Sequence, residues 1–590
     1  MDDLAPTSPQ SGIETPLPAS SSGPRFGSDL VADVLRTLDL PYIALNPGAS
    51  YRGLHDSLVN HLGNADPRML LCLHEEHAVA LAHGWAKVTD TPMAVALHSN
   101  VGLMHATMAI FNAWCDRMPV LILGATGAVD AARRRPWIEW IHTARDQAAL
   151  VRPYVKWDDQ PASLLAARES LHRAAWLTQA APRAPTYVVL GVELQEEAAP
   201  DALPPVDPRR FMPPVRGAAG AEDLAAVLTL LRTAKRPLIL AGRVGRSTEG
   251  WAQRIRLAEA LGAQVATDTR VAAAFPTDHP LHLGPPGNGF AASGHIHAAL
   301  READVVLSLD WLDLAGTLAG AHEGGQPDAR IIQASLDHVL HNGWSFDHMG
   351  LPTVDLMIAA DPDQLVAQLV AALGDAPARP AQPTARELLS PAVRPGPIST
   401  PALARVLRDA AGDAPVSLLH LPLSWDTRSW HWRHPLDYLG SDGGGGVGAG
   451  PGLAVGSALA LRDHHPGRLP IAICGDGDTT MGLTAIWTAV HYRIPVMIVV
   501  CNNQSFYNDE LHQERMARQR NRPVENKWIG QRMSDPDIDF ATLARGQGAV
   551  GLGPVRDLAE LPAAMAEAFA ELRAGRVVVV DVRVLPGYAD

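Results

Sequence analysis

In the last quarter of the chain an aspartate stands between two glycines, Gly475–Asp476–Gly477, and a pair of asparagines, Asn502–Asn503, follows it. Either motif alone is a turn signal, because Gly, Asp and Asn are common turn residues. Their setting says more. "LPIAIC" before Gly475 is a buried strand by composition, "LTAIWTAVHY" has helical spacing, and "PVMIVVC" is the next strand. A right-handed β-α-β crossover brings both strand ends to one sheet edge, where open α/β sheets bind ligands. Asp476 and Asn503 are therefore expected side by side. A carboxylate and an amide oxygen are hard donors, suited to Mg²⁺ rather than zinc. Mg²⁺ held by two or three protein oxygens completes its octahedron with phosphates and water, so the site asks for a diphosphate. Gly475 and Gly477 would let the backbone come close to it, and Asp478 lies in the first turn of a helix whose free N–H groups suit a phosphate.

The elements that must position these residues repeat along the chain. At 590 residues and 47% apolar composition, the chain is too long for one core and supports about three. Strand-length runs alternate with amphipathic helices in three segments, so the fold class is α/β, with three doubly wound parallel-sheet domains in series. The boundaries read as a disordered leader over residues 1–28, a first domain over 29–200, a central Rossmann-like domain over 215–375 and a third domain over 395–590, with Pro-rich linkers between the domains. A formal charge of −14 argues against nucleic acid and against an anionic membrane surface. Four scattered cysteines with no CxxC pair fit a reducing cytoplasm, and no apolar run approaches the roughly 20 residues of a membrane helix. A small-molecule substrate is the expected partner.

With GDG, NN and the three-domain order in hand, the chain resembles the thiamine-diphosphate (ThDP) enzyme superfamily of the 2-oxoacid decarboxylase and acetolactate synthase type. The resemblance implies a pyrimidine-binding, a central and a diphosphate-binding domain. It makes Asp476, Asn503 and the Ser505 carbonyl Mg²⁺ ligands, and places Gly475, Gly477 and Asp478 at the diphosphate. It also calls for a glutamate at a strand end near the aminopyrimidine. In "MLLCLHEEHAVALAHGWAK" that residue aligns as Glu75, with Glu76 its neighbour. The glycine run "SDGGGGVGAGPGLAVGSALA" is similar to the family segment in which Gly445 offers its carbonyl to the cofactor and Val447 props it into a bent shape; Pro451 and Gly452 depart from the pattern.

Within the superfamily, "LHSNVGLMHATMAIFNAW", "YVKWDDQPAS" and "AFPTDHPLHLG" resemble segments of benzoylformate decarboxylases, whose two active-site histidines carry over onto His98 and His279. Imidazole is suited to proton relay near neutral pH. The implied activity is lyase chemistry, the non-oxidative decarboxylation of a 2-oxo acid to an aldehyde. The alternative is a carboligase, or a 2-hydroxyacyl lyase. Two departures favour the alternative: Ala49 stands where a substrate-holding serine is expected, with Ser50 one position late, and a long basic segment follows Asn503. That segment reads either as a solvated helix or as a lid whose arginines face an anion. A non-catalytic ThDP-binding protein is disfavoured by the intact Glu75, Asp476 and Asn503. "LILAGRVGRSTEGWAQ" in the central domain is a weak nucleotide signal; FAD or ADP there is conceivable, but an empty domain is favoured. The resemblance further implies a ThDP site shared between subunits, hence a homodimer at least and a homotetramer by expectation.

Overall fold

Short Val-, Ile- and Leu-rich runs with helices between them give three sheets in which every strand pairing is parallel, because each crossover helix returns the chain to the same edge. The computed structural model describes residues 14–17, 26–199, 206–215, 217–286, 294–340, 349–374 and 388–587. Much of both expected linkers and most of the expected leader lie outside these residues.

The first sheet contains β1 (Tyr42–Leu45), β2 (Arg68–Leu71), β3 (Ala94–Leu97), β4 (Leu121–Thr126), β5 (Trp157–Asp159) and β6 (Thr186–Gly191), in the order β2-β1-β3-β4-β6-β5. The central sheet contains β7 (Pro237–Ala241), β8 (Gln264–Ala266), β9 (Val305–Leu309), β10 (Arg330–Ala334) and β11 (Leu356–Ile358), ordered β11-β10-β9-β7-β8. The third contains β12 (Val416–His420), β13 (Leu469–Gly475), β14 (Val496–Asn502), β15 (Val550–Val555) and β16 (Val577–Arg583), ordered β12-β13-β14-β16-β15. None of the helices is long and apolar enough to cross a membrane, among the described residues.

The first and third domains share one core. Buried Leu81 and Trp85 of the Glu75–Thr89 helix join Ala454, Val455 and Ala458 of the Ala449–His464 helix in a single apolar cluster. Glycine makes this crossing tight. A Cβ on Gly84 would lie 2.2 Å from the Leu453 carbonyl oxygen, and one on Gly456 only 1.9 Å from that of Leu81. Ser457 Oγ donates to the Gly84 carbonyl at 3.0 Å. Much of the glycine run is thus a helix–helix packing surface. Fully buried Lys87 adds a polar tie, donating to the Asp116 carboxylate and, at 2.7 Å, to the Ser441 carbonyl.

Two expectations are corrected at the N-terminus. Phe26 bridges to Ala198 and the first helix begins at Gly27, so the first domain starts inside the stretch read as leader. Glu14, also in that stretch, is docked: Tyr492 Oη donates to its carboxylate at 2.8 Å and Asn64 to its carbonyl at 3.1 Å.

Candidate cofactor and active site

Glu75 is the first residue of its helix, set where the chain leaves β2, and His74 caps that helix by accepting from the Glu76 N–H. The two neighbouring acids diverge. Glu75 is buried, 5% exposed, and its neighbours belong to its own domain: His105 Nδ1 lies 2.9 Å from Oε2, and Gly102 packs against the side chain. Glu76 turns toward the third domain, near Gly448, and its carboxyl is raised by burial and by the nearby Asp478 charge.

His98 stands immediately before the Ser99–Cys115 helix at the end of β3, next to β1 in the sheet. Its Nδ1 pairs with Ser50 Oγ at 2.9 Å, and the Ser99 N–H donates to that same oxygen at 3.1 Å. Ser50 is buried and holds a histidine, whereas Ala49 is exposed at the turn. Gly48 is required here, since a Cβ would sit 2.2 Å from that of His98. Burial lowers the His98 pKa, His142 lowers it further, and Glu75 opposes both. His142 meets the His98 ring edge-on, with centroids 4.8 Å apart. The backbone of Ser99 has φ 44°, a strained value for a residue with a Cβ. Gln504, on the other functional loop, has φ 60°.

On the third sheet Gly475 pairs with Cys501, so Asp476 and Asn503 leave adjacent strand ends, as the β-α-β reading required. One donor ties them together: the Ser505 N–H reaches Asp476 Oδ2 at 3.2 Å and Asn503 Oδ1 at 2.9 Å. Asp476 Oδ1 accepts from the Gly477 N–H at 2.8 Å. Burial pushes the Asp476 carboxyl up to about 6, against the pull of these amides. A divalent cation would reverse that shift. Hard oxygens anchored on neighbouring strand ends fit a small oxygen-seeking cation.

The diphosphate side differs from expectation in two places. A Cβ on Gly477 would strike the Phe506 ring at 2.7 Å, so this glycine makes room for an aromatic side chain; Gly475 faces open space. Asp478 is turned away into the protein. Its Oδ1 accepts from the Gly448 and Gly450 N–H groups at 2.7 and 3.2 Å and so caps the Ala449–His464 helix. That helix start needs an acceptor, and a carboxylate two residues past Asp476 is close enough to supply it. Gly445 has φ 72° with open space around it, and Val447 is 45% exposed at the tip of the same loop.

His279 is not brought to Glu75 or His98 within one chain. Its Nε2 lies 3.3 Å from Glu259, its Nδ1 accepts from the Leu281 N–H, and Phe275 packs on the ring, all inside the central domain. In the central Gly-rich turn, the Gly245 N–H is taken by Asp363 at 2.6 Å, and Arg254 pairs with the same carboxylate at 2.6 Å. The basic segment after Asn503 neutralises part of its own charge. Arg518 and Lys527 pair with Glu514 at 2.6 and 2.5 Å, and Arg532 with Glu510 at 3.2 Å. Sequence reasoning missed His105 and His142. His105 was legible in principle, seven residues after His98 and three after Gly102 on one helix face; His142 lies in an irregular loop that no periodicity marks.

Comparison with known proteins follows the same division. Residues 25–150, 224–369 and 423–582 match the families described as thiamine pyrophosphate enzyme N-terminal TPP binding domain, central domain and C-terminal TPP binding domain. The chain is 27% identical over 544 residues to benzoylformate decarboxylase of Pseudomonas aeruginosa, covering 88% of this chain and 92% of that protein. It is 25% identical over 580 residues to the acetolactate synthase isozyme 3 large subunit of Escherichia coli, covering 95% and 94%. Among solved structures, benzoylformate decarboxylase from Polynucleobacter necessarius superposes with a TM-score of 0.78 at 21% identity, over 96% of this chain and 99% of that one. The 4-hydroxybenzoylformate decarboxylase of Rhodococcus jostii gives 0.74 at 21% identity, over 96% and 100%.

Proposed function

We propose that this chain, which belongs to the thiamine pyrophosphate enzyme superfamily, is a ThDP- and Mg²⁺-dependent lyase that decarboxylates a 2-oxo acid of the benzoylformate type to an aldehyde. Asp476, Asn503 and the Ser505 carbonyl would hold Mg²⁺ and through it the diphosphate, and Glu75 would bind the aminopyrimidine. Bound in this way, ThDP supplies the carbon nucleophile and the sink for the electrons released as CO₂ leaves. Val447, exposed at its loop tip, is suited to prop the cofactor, with the Gly445 carbonyl beside it. Glu75 holds or gives a proton at its carboxyl. His98, lowered by its surroundings, is neutral at pH 7 and can accept a proton and return it to the reacting carbon.

The observation that carries this reading is the meeting of Glu75 and His98 at one sheet edge, the acid packed on Gly102 and the imidazole held by Ser50. Tyr51, His74, His98, Gly102 and His105, which surround Glu75, all belong to the first domain, and the third domain of a second copy would complete the site. A role for His279 likewise requires a second copy. Incubating the protein with ThDP, Mg²⁺ and 2-oxo acids from pyruvate to benzoylformate tests the proposal. Aldehyde and CO₂ from an aryl substrate, lost in Glu75→Gln, are expected. Turnover unchanged in Glu75→Gln would remove the assignment.

One observation favours the carboligase reading. With Ser50 committed to His98 and Ala49 at the exposed turn, neither residue offers a free hydroxyl for a substrate carboxylate. A hydroxyketone as main product would decide for it.

A further inference from the structure

Glu75 has a partner with no part in the scheme above. His105 stands on the Ser99–Cys115 helix with its ring half exposed, while the Glu75 carboxylate it meets is buried. Gly102 lies one turn before it, and a Cβ there would come within 3.2 Å of Glu75 Oε1, so the acid lies along this helix face between His98 and His105. We propose that His105 is the positioning residue of Glu75 and the group through which that buried carboxyl exchanges its proton with solvent. The proposal rests on Glu75 being the acid of the reading above.

The chemistry follows from the pairing. Whenever the carboxyl is ionised it can only accept, and the Nδ1 atom 2.9 Å from Oε2 then carries the hydrogen. Nε2 belongs to a ring that is half exposed on the single chain. When Nε2 takes a proton from a hydronium ion in solvent, leaving water, the Nδ1–H proton can pass to Oε2. One N–H and one O–H bond form, one N–H and one O–H bond break, and the imidazole ends neutral as it began. The other titratable groups around the pair are poorly placed to do this. His74, stacked on His105 at 5.1 Å, is lowered by burial and caps the helix through Nδ1. His98 is committed to Ser50. Tyr51, whose charge interaction with Glu75 is repulsive, is pushed up by burial and stays protonated. His77, beyond His74, pairs with Thr484 at 2.9 Å.

Stopped-flow mixing of the full-length protein with ThDP at saturating Mg²⁺, in weak buffer with an indicator dye from pH 5.5 to 8, reads how fast protons are exchanged on binding. Protons of the diphosphate itself are common to all variants and cancel in differences. The exchange rate is expected to fall at least about tenfold in His105→Gln with the total number of protons unchanged, since the relay returns the imidazole as it began. His105→Gln keeps a donor for Oε2, so cofactor affinity should stay within about threefold, whereas His105→Ala loses both the donor and the relay. In a Glu75→Gln background the difference should vanish. Identical exchange rates in wild type, His105→Gln and His105→Asn would overturn the proposal. The two failures are distinguishable: loss of turnover in Glu75→Gln with unchanged exchange rates in the His105 variants removes only the relay, while full turnover in Glu75→Gln removes the underlying reading.

Discussion

Replacing Asp476 by Asn should change how the stability of the metal-free protein depends on pH. Asp476 is buried, 4% exposed, with its carboxyl raised from 3.8 to about 6. Between those values the folded chain keeps a proton that the unfolded chain has released, so this group makes stability fall as pH rises. A difference of about two pKa units corresponds to about 3 kcal/mol, fully lost by pH 7. His77 acts with opposite sign. Burial lowers it from 6.5 to about 4, so the unfolded chain binds the extra proton and stability is lost as pH falls through that window, again by about 3 kcal/mol. In wild type the two contributions largely cancel between pH 4 and 6. Asp476→Asn removes the falling contribution, so relative to wild type the variant's stability should climb by about 3 kcal/mol from pH 4 to 6.5. The amide also turns one N–H donor group toward the Gly477 or Ser505 N–H, a pH-independent penalty of about 1–3 kcal/mol, so the slope and not the level carries the test. Guanidinium unfolding of apo wild type and variant at pH 4.5 to 7.5 reads both. Mg²⁺ with ThDP at a hundred times Kd should raise wild type by about 2.7 kcal/mol at neutral pH and leave the variant largely unmoved. Parallel pH curves for the two proteins would refute the reasoning about the buried carboxyl.

Other perturbations probe the remaining links. Gly456→Ala should destabilise the chain by about 2–3 kcal/mol in denaturant unfolding, because its Cβ would meet the Leu81 carbonyl at 1.9 Å. His98→Ala should lower kcat about 10²–10⁴-fold with cofactor affinity retained, and the wild-type acid limb should fall below the ordinary histidine value, since the ring is lowered. Mixing inactive Glu75→Gln and Asp476→Ala subunits should restore about a quarter of wild-type activity if each site draws on two chains, and none if it draws on one. Glu14→Ala should lower the melting temperature by the equivalent of about 1 kcal/mol by removing the Tyr492 bond, checked by calorimetry.

Read alone, the sequence was enough to establish the three sheets, because long Val- and Ile-rich strands such as Val496–Asn502 and Val577–Arg583 are buried on both faces and announce themselves by composition. The four strands it did not mark, Trp157–Asp159, Leu356–Ile358, Val416–His420 and Val550–Val555, all lie at sheet edges, where a strand has a neighbour on one side only. The convergence of Asp476 and Asn503 was equally legible, since β-α-β handedness leaves the two strand ends one place to go. Side-chain direction was not. Whether Asp478 faces a diphosphate or caps a helix, whether Ser50 holds a substrate or His98, and which of Glu75 and Glu76 enters the cleft all depend on which donors from distant segments come within about 3 Å. Sequence motifs assign residues to a sheet edge; only the tertiary structure supplies the competing partners there, because a buried polar group binds the nearest unsatisfied donor or acceptor, whichever segment carries it.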